Sequence, residues 1–259
     1  MDLLEKTQNQ NRHPWEISRA NRIFNLISGK KIINYNNIVD IGAGDCYFTE
    51  KFKEISLPPP QIFAIDIGYT QDDKLKSESI KLLSFVDDLP KEFHKNGENL
   101  FVMMDVLEHI ENDDEFLGKI YNFLSENGIL LITVPAWQFL FSSHDKFLKH
   151  YRRYKRKQLK KLLISNNFNV QECRYFYFSL FFLRLISGFI AKINRSGSSR
   201  KINTGIGNWR FSQNHPITKF ITIILDIDFC ICRIFAKFNI FIPGLSLLAI
   251  CTKRSDKNI

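Results

Sequence analysis

The chain has 259 residues, of which 44% are hydrophobic and 24% are charged, and these proportions exclude a disordered or low-complexity protein. Its length suits one large domain, or one domain with an added segment. The five cysteines (46, 173, 230, 232 and 251) form no CxxC pair, so we expect neither a disulfide framework nor a metal site. The first residues lack the apolar stretch of a signal peptide, which predicts a cytoplasmic protein.

The net charge of +9 comes from one segment. Residues 146–171 contain nine basic side chains and no acidic one, whereas the rest of the chain has 27 of each sign. This segment predicts a basic surface that attracts phosphates, lipid headgroups or nucleic acid.

Residues 1–37 predict an N-terminal helical segment, because Trp15, Ile23, Phe24 and Ile27 share one helical face that ends at Gly29. From residue 38 to 175, short apolar runs alternate with helical patterns. We predict strands in "NIVDIGAG", "PPPQIFAIDIG", "IKLLSF", "LFVMMDV" and "ILLITVP", with helices in "CYFTEKFKEI" and "DDEFLGKIYNFLSENG". Nearly continuous apolar strands between helices indicate a Rossmann-like, doubly wound, mostly parallel α/β sheet with helices on both faces.

Residues 176–245 are rich in phenylalanine and predict an apolar helical insertion before a last strand and tail at 246–259. We predict its first helix at residues 178–193 and a Gly/Ser-rich loop at residues 194–216, followed by the second helix. Arg184 and Lys192 interrupt the first helix, and five charged residues interrupt the second, so neither is expected to span a membrane. The insertion can cover a ligand pocket, form a dimer face, or lie in a membrane interface. "VQECRYFYF" before it alternates like an edge strand.

A short motif follows the first predicted strand. Asp40 ends that strand, and Gly42 and Gly44 follow it, which is typical of a turn where a nucleotide approaches the backbone. A dinucleotide-binding turn needs a third glycine at the position of Tyr47, so that interpretation fails at one of its three glycines.

Four motifs in order resemble those of class I S-adenosylmethionine-dependent methyltransferases. They are "VDIGAGDCYFT", "AIDIG", "SFVDDLP", and "VMMDVLEHIENDDEFL" with "NGILLITVP", and they span residues 38–135. The resemblance implies a seven-stranded sheet and S-adenosylmethionine as the cofactor. One departure is Cys46, which stands where the family motif has its last glycine, and it predicts reduced room beside the cofactor.

The resemblance also implies roles for individual residues. Asp40, Gly42 and Gly44 would lie against the methionine part of the cofactor, and Asp66 with Ile67 at the ribose. Either Asp87 or Asp88 would contact the adenine amine, and Asp105, Val106 and His109 would close over the methionine side. The alternatives are that Asp40 or His109 only caps a turn, and that Asp87 and Asp88 are loop acids.

The segment after the fifth strand resembles a bacterial subgroup of these enzymes, with "HD…HYRRY" there and "GLSLLA" near the C-terminus. His144 is the first candidate for a general base, followed by Asp145, His150 and Tyr151. Alternatively, His144 and Asp145 brace the loop, or positioning of the acceptor suffices without any base.

Arg152 and Arg153 can hold a phosphate or carboxylate on the acceptor. Lys155, Arg156, Lys157, Lys160 and Lys161 are interpreted as the solvated face of the next helix. A nucleic-acid partner is not expected, because no RNA-binding module accompanies the patch.

The sequence thus predicts a methyltransferase that acts on an oxygen, nitrogen or carbon atom of a small-molecule, glycan or lipid-linked acceptor, with a homodimer or peripheral contact at the inner membrane face as further options. One alternative is a catalytically silent cofactor-binding module that docks a membrane or protein partner. The other is an NAD or nucleotide-sugar enzyme.

Overall fold

The structure is a computed structural model that describes residues 11–29, 35–53, 59–76, 79–90, 93, 97–193 and 209–254. The strands are β1 (Asn37–Ile41), β2 (Gln61–Ile65), β3 (Lys81–Leu83), β4 (Asn99–Met104), β5 (Ile129–Pro135), β6 (Phe168–Phe176) and β7 (Ser246–Lys253). The helices are α1 (Pro14–Ser28), α2 (Gln71–Lys76), α3 (Asp113–Phe123), α4 (Ser143–Phe147), α5 (Arg156–Ser165), α6 (Phe178–Ile193) and α7 (Pro216–Lys237).

These strands form one seven-stranded sheet in the order β3-β2-β1-β4-β5-β7-β6. Neighbouring strands from β3 to β5 pair in parallel, whereas β7 pairs antiparallel with both β5 and β6. The predicted doubly wound, mostly parallel fold is confirmed, and β6 is the predicted edge strand. Because the strand order reverses between β1 and β4, a crevice opens at the carboxyl ends of the strands.

Alternating residues of each strand feed two apolar layers, one on each face of the sheet. Val39 and Phe101 face the layer that contains Leu117 of α3 and Leu159 of α5. Ile38 and Leu100 face the other layer, which α1 and α7 supply with Ile23, Leu225 and Phe229, among others. Both faces are therefore covered, which explains why the central strands read as continuous apolar runs.

The predicted elements mostly agree with the structure, and two match residue for residue. The apolar run at 129–135 is β5, and the run at 178–193 is α6. The helix predicted over 46–55 is wrong within the described residues, since only a 3-10 helix at Thr49–Phe52 forms there. Most of the predicted loop at 194–216 lies outside the described residues.

The charged residues on α7 include two that fix its position. Asp228 caps the start of α6, accepting hydrogen bonds from the backbone amides of Phe178 (3.0 Å) and Ser179 (2.8 Å). Asp226 accepts hydrogen bonds from Ser18 and Arg22 of α1. None of the helices in the described ranges is long and apolar enough to cross a membrane.

The "GLSLLA" motif starts at a close backbone contact. A β-carbon on Gly244 would lie 2.2 Å from the carbonyl oxygen of Phe176, so only glycine fits there without movement. The adjacent Leu245 donates its amide to the carbonyl of Tyr177, and its own carbonyl accepts from Ala136. Gly244 thus allows β7 to enter between β5 and β6.

Candidate active site

The glycine turn (residues 42–48) lies between the carboxyl ends of β1 and β2. Gly42 and Gly44 both have positive φ values, +70° and +53°, a region that favours glycine. The amides of Gly42 and Ala43 donate to the carbonyl of Ile65, at 2.7 and 3.2 Å. A β-carbon on Gly42 would lie 2.4 Å from a methyl group of Val106, so the turn also packs closely against the loop after β4.

Asp66 at the end of β2 is joined to the glycine turn. One carboxylate oxygen accepts the amide of Gly44 and the other accepts the amide of Gly68, each at 2.9 Å. Asp66 is half-buried, and each oxygen keeps a lone pair for a further donor. The next residue, Ile67, is 83% exposed at the same edge. This edge therefore presents a fixed carboxylate beside an uncovered apolar side chain.

Asp40 is enclosed by the turn. It is buried, and it accepts a hydrogen bond of 2.5 Å from the hydroxyl of Thr49. Burial raises the pKa of this carboxyl group to about 7, despite the opposing effect of that hydrogen bond. The structure therefore places Asp40 as a brace for the turn, as in the capping interpretation.

Cys46 also has a positive φ, +60°. The family's glycine at this position would adopt that conformation without strain, whereas cysteine carries a side chain into it. Its sulfur lies 3.0 Å from the hydroxyl of Tyr69. The side chain is thus accommodated between the turn and the loop after β2.

The two candidate adenine contacts have different surroundings. Asp88 accepts the amides of Ser84 and Phe85 at 3.2 and 2.9 Å and so caps its own turn. Asp87 is exposed and forms an ion pair of 2.5 Å with Lys119. Both contacts agree with the loop-acid interpretation, and both residues are exposed.

The N-terminal segment closes one side of this edge, which sequence reasoning missed. Arg19 of α1 forms a salt bridge with Asp105, whose other oxygen accepts the hydroxyl of Thr133 at 3.1 Å. Arg12 forms a salt bridge with Asp45 and stacks over the ring of Tyr47 at 3.9 Å. Arg19 precedes Asp105 by 86 residues, so no local pattern could have paired them.

On the acceptor side, the "HYRRY" residues form a strap (residues 150–154) across the ends of β4 and β5. The amide of Tyr151 donates to the carbonyl of Glu108 at 2.8 Å, and that of Tyr154 donates to Pro135 at 3.0 Å. The Tyr154 hydroxyl donates to Asp113 at 2.7 Å. These contacts place His150 and Tyr151 beside the loop after β4.

Asp145 is the centre of the strap's side-chain network. It is fully buried and accepts hydrogen bonds from Arg153 (2.7 Å), the Ser142 amide (2.8 Å) and His150 Nδ1 (3.0 Å). Although burial favours the neutral form, the bonds from His150 and Arg153 hold the pKa of Asp145 below its ordinary value. These donors enclose the carboxylate of Asp145, which fits a positioning role, and its catalytic role stays a prediction.

The two arginines predicted to hold the acceptor both have partners within the protein. Arg153 is buried, and its guanidinium binds Asp145 and the carbonyl of Ala136. Arg152 binds Asp113 at 2.9 Å and the carbonyl of Glu111 at 2.5 Å. Both guanidinium groups are therefore engaged within the protein.

The basic segment divides by residue type. Its lysines are exposed, which confirms the solvated-face interpretation for Lys155, Lys157, Lys160 and Lys161. Arg156 instead donates to the carbonyl of Cys173 at 2.6 Å and lies 3.4 Å above the ring of Phe241. The arginines belong to the fold because a guanidinium can satisfy several acceptors while it packs on rings.

Of the other acceptor-side candidates, His144 is half-buried in α4, not in a loop, and Tyr151 is 51% exposed. Burial lowers the pKa of His144, which keeps its imidazole neutral at pH 7. His109 is half-buried in the loop after β4, with its ring edge-on to that of His150 at 4.5 Å.

Glu108 was not singled out from the sequence. It is fully buried, and burial raises the pKa of its carboxyl group to about 8. No feature of the sequence distinguishes it from an exposed turn acid, because its neighbours come from the distant strap.

Solved structures of other proteins share this fold, and a protein family matches this sequence. The structure is similar to the cyclase SpnF, at 14% identity and a TM-score of 0.53 over 95% of this chain and 84% of that one. It is also similar to a candidate sarcosine dimethylglycine methyltransferase from Galdieria sulphuraria, at 9% identity and a TM-score of 0.54 over 93% and 86%. A third is phosphoethanolamine N-methyltransferase 2 from Haemonchus contortus, at 15% identity and a TM-score of 0.50 over 98% and 60%.

No curated protein sequence matches this chain significantly. The methyltransferase domain family, however, matches residues 8–173, which is more than half of the chain and includes the glycine turn, Asp66 and the strap. The chain therefore belongs to the methyltransferase domain family.

Proposed function

We propose that the chain binds S-adenosylmethionine at the carboxyl ends of β1, β2 and β4 and transfers its methyl group to an oxygen or nitrogen atom, or to carbon, of a small-molecule, glycan or lipid-linked acceptor. The contact between Asp66 and Gly44 carries the proposal. Through this hydrogen bond, the carboxylate that would bind the ribose hydroxyls is attached to the turn that would bind the methionine part. Both groups are therefore positioned before the cofactor binds. Ile67 provides an apolar surface beside them.

On the acceptor side, His144 is the proposed general base. Its lowered pKa suits it to accept a proton from an acceptor atom as that atom attacks the methyl group. Tyr151 is exposed beside the strap and is the proposed contact for the acceptor. Since Arg152 and Arg153 are engaged within the protein, the structure gives no support for an anionic acceptor held by them.

The cofactor proposal is tested by calorimetric titration with S-adenosylmethionine, with NAD as the control ligand. We expect micromolar binding of S-adenosylmethionine alone, and at least tenfold weaker binding by Asp66→Asn. Asp72→Asn, in the exposed first turn of α2, is the matched control and should bind like the unaltered chain. Equal affinities for all three proteins would overturn the assignment of Asp66.

A turnover assay separates the enzyme from a silent module. Labelled S-adenosylmethionine is incubated with lipid and small-molecule extracts, and label in an extracted product shows transfer. Binding without transfer to any fraction would favour the silent module. His144→Ala should lower the rate of transfer at unchanged cofactor affinity, and an unchanged rate would remove His144 as the base.

A lipid-linked acceptor is favoured by one further observation. α6 and α7 both expose large apolar side chains, which include Phe182 and Leu183 on α6 and Phe220 and Ile227 on α7. On α7 the exposed apolar residues cover about a third of the circumference, at 3.6 residues per turn, which is wider than a coiled-coil seam. Lys219, Arg233 and Lys237 flank it, while Asp226 and Asp228 are engaged with α1 and α6. We propose that this face lies on an anionic membrane surface.

Vesicle co-sedimentation tests this contact. We expect binding to vesicles that contain an anionic phospholipid, and at least tenfold weaker binding after Phe220→Gln with Ile227→Gln. Ile164→Gln removes an exposed apolar residue of α5 and is the matched control. Absence of vesicle binding, with a dimer by light scattering that the double variant dissociates, would overturn the membrane proposal and make the face a homodimer contact.

A further inference from the structure

We propose that Glu108, His109 and His150 bind one divalent transition-metal ion of the zinc class. One ligand atom from each of the three side chains lies within 4.8 Å of the other two. Glu108 and His109 come from the turn after β4, and His150 comes from the strap. The backbone hydrogen bond from Tyr151 to Glu108 joins the two segments at this point.

The three side chains are close enough to share one ion after rotation. Zinc lies about 2.0 to 2.2 Å from imidazole nitrogen and carboxylate oxygen, so two ligand atoms of a tetrahedral site are about 3.3 to 3.6 Å apart. The observed limit of 4.8 Å exceeds this by about 1.2 to 1.5 Å. Rotation of the side chains would have to bring their ligand atoms closer by this amount.

The surroundings of Glu108 point independently to a cation. This side chain is fully buried, and within the described part of the chain no other residue donates a hydrogen bond to either carboxylate oxygen. Arg19 and Arg153 are near enough to attract its charge, but each is bonded to another acid, Asp105 and Asp145. A buried carboxylate without donors is costly, and a metal ion would supply the missing partner.

His150 is held as metal-binding histidines usually are. Its Nδ1 lies 3.0 Å from Asp145, which Arg153 and Ser142 also bind. In the tautomer that donates Nδ1–H to this carboxylate, Nε2 keeps its lone pair for a metal. A carboxylate behind a ligating histidine fixes the ring and raises its basicity.

The donor types select among metals. Two imidazoles and one carboxylate are the donor set of catalytic zinc sites and of sites for related transition metals. Magnesium and calcium prefer oxygen ligands, so they should bind much more weakly here. Three protein ligands leave at least one coordination position open.

The position of the site gives it a consequence that rests on the proposed function. Val106, two residues before Glu108, touches the glycine turn, so the ion would lie near the proposed cofactor. An acceptor hydroxyl on the open position would release its proton more readily, either to the proposed base His144 or to water. Its oxygen would then form the O–CH₃ bond while the S–CH₃ bond breaks and that electron pair stays on sulfur. This favours a hydroxyl acceptor.

Titration of the chelator-treated full chain with cobalt(II) and zinc tests the proposal. We expect one equivalent to bind, with the visible absorption of a cobalt site that zinc displaces, and no comparable binding of magnesium. Glu108→Gln and His150→Gln should each weaken zinc binding at least a hundredfold. Asp145→Asn should weaken it about 10- to 100-fold, the usual effect of losing the carboxylate behind a ligating histidine.

A matched control separates this site from adventitious binding. Glu111→Gln alters the loop after β4 outside the cluster and should keep the full affinity for zinc. Calorimetry with S-adenosylmethionine shows that each variant is folded and tests the cofactor proposal separately. If the Glu108 and His150 variants are folded and bind zinc like the unaltered chain, the ion occupies another site, such as the cysteines, and the proposal is overturned. No zinc binding by the unaltered chain overturns it as well.

Discussion

The glycine turn and the strap are both fixed loops at the same edge of the sheet, but different forces hold them. Backbone groups hold the turn: positive φ values at Gly42 and Gly44, amides donated to Ile65, and the amide of Gly44 on Asp66. In the strap, a buried carboxylate collects donors from Arg153, His150 and Ser142. The glycine turn therefore depends on backbone conformation, whereas the strap depends on charged side chains. Substitutions that alter only one of these two forces should affect only the corresponding loop.

The largest effect should come from Arg153→Ala, which leaves Asp145 buried without its cation. We expect a loss of about 3 to 5 kcal/mol in the free energy of unfolding, the usual result of removing one partner of a buried ion pair. Urea denaturation followed by circular dichroism measures it. Lys160→Ala, an exposed lysine of the same basic segment, should change stability by no more than about 0.5 kcal/mol. Similar small losses for both variants would show that charge does not hold the strap.

A moderate effect is expected from Gly42→Ala, which tests conformation in the turn. The new methyl group would collide with Val106, and the alanine backbone would be held at a φ of +70°. We therefore expect the free energy of unfolding to fall by about 1 to 3 kcal/mol and cofactor affinity to fall at least tenfold. Thermal unfolding and calorimetry measure the two losses. Adding Val106→Ala removes the contact but not the backbone strain, so recovery should be partial. Full recovery would contradict a conformational origin.

The smallest effect, counted per pH unit, is expected from Asp40→Asn, which changes how stability depends on pH. Because burial raises the pKa of Asp40 to about 7, the folded chain keeps a proton that the unfolded chain releases above about pH 4. Stability from this group therefore falls as pH rises from about 4 to 7, by at most about 1.4 kcal/mol per pH unit. Asp40→Asn should remove that slope, whereas Asp72→Asn should not. Urea denaturation across this range measures it, and identical slopes would contradict the shifted pKa.

The same contrast explains what the sequence could predict. The sequence predicted both ends of β5 correctly. Its apolar run starts directly after Gly128 and ends at Pro135, so the run is too short for a helix and fits a buried strand. The turn was found because its glycines are required by local conformation. Cys46 also has a positive φ. This backbone conformation explains why the family's motif has a glycine at that position.

The acceptor side was less predictable, because its chemistry depends on partners far apart in the chain. Arg153 looked free to bind a ligand, but Asp145, eight residues earlier, already occupies it. Glu108 gains importance only when the strap brings His150 beside it, and Arg19 only when α1 packs over the loop after β4. Such pairs carry no periodicity, and residue type alone does not separate a structural arginine from a binding one.

The placement of β7 has a consequence for synthesis of the protein. β7 is the last described strand in the chain, yet it lies between β5 and β6 and supplies hydrogen bonds to both. While the ribosome is still adding residues before 246, the open edges of β5 and β6 have no partner between them. Completion of this half of the sheet is therefore a late step of long sequence separation, and the nascent chain carries unpaired strand edges until then. The cofactor side, from β1 to β4, can pair long before.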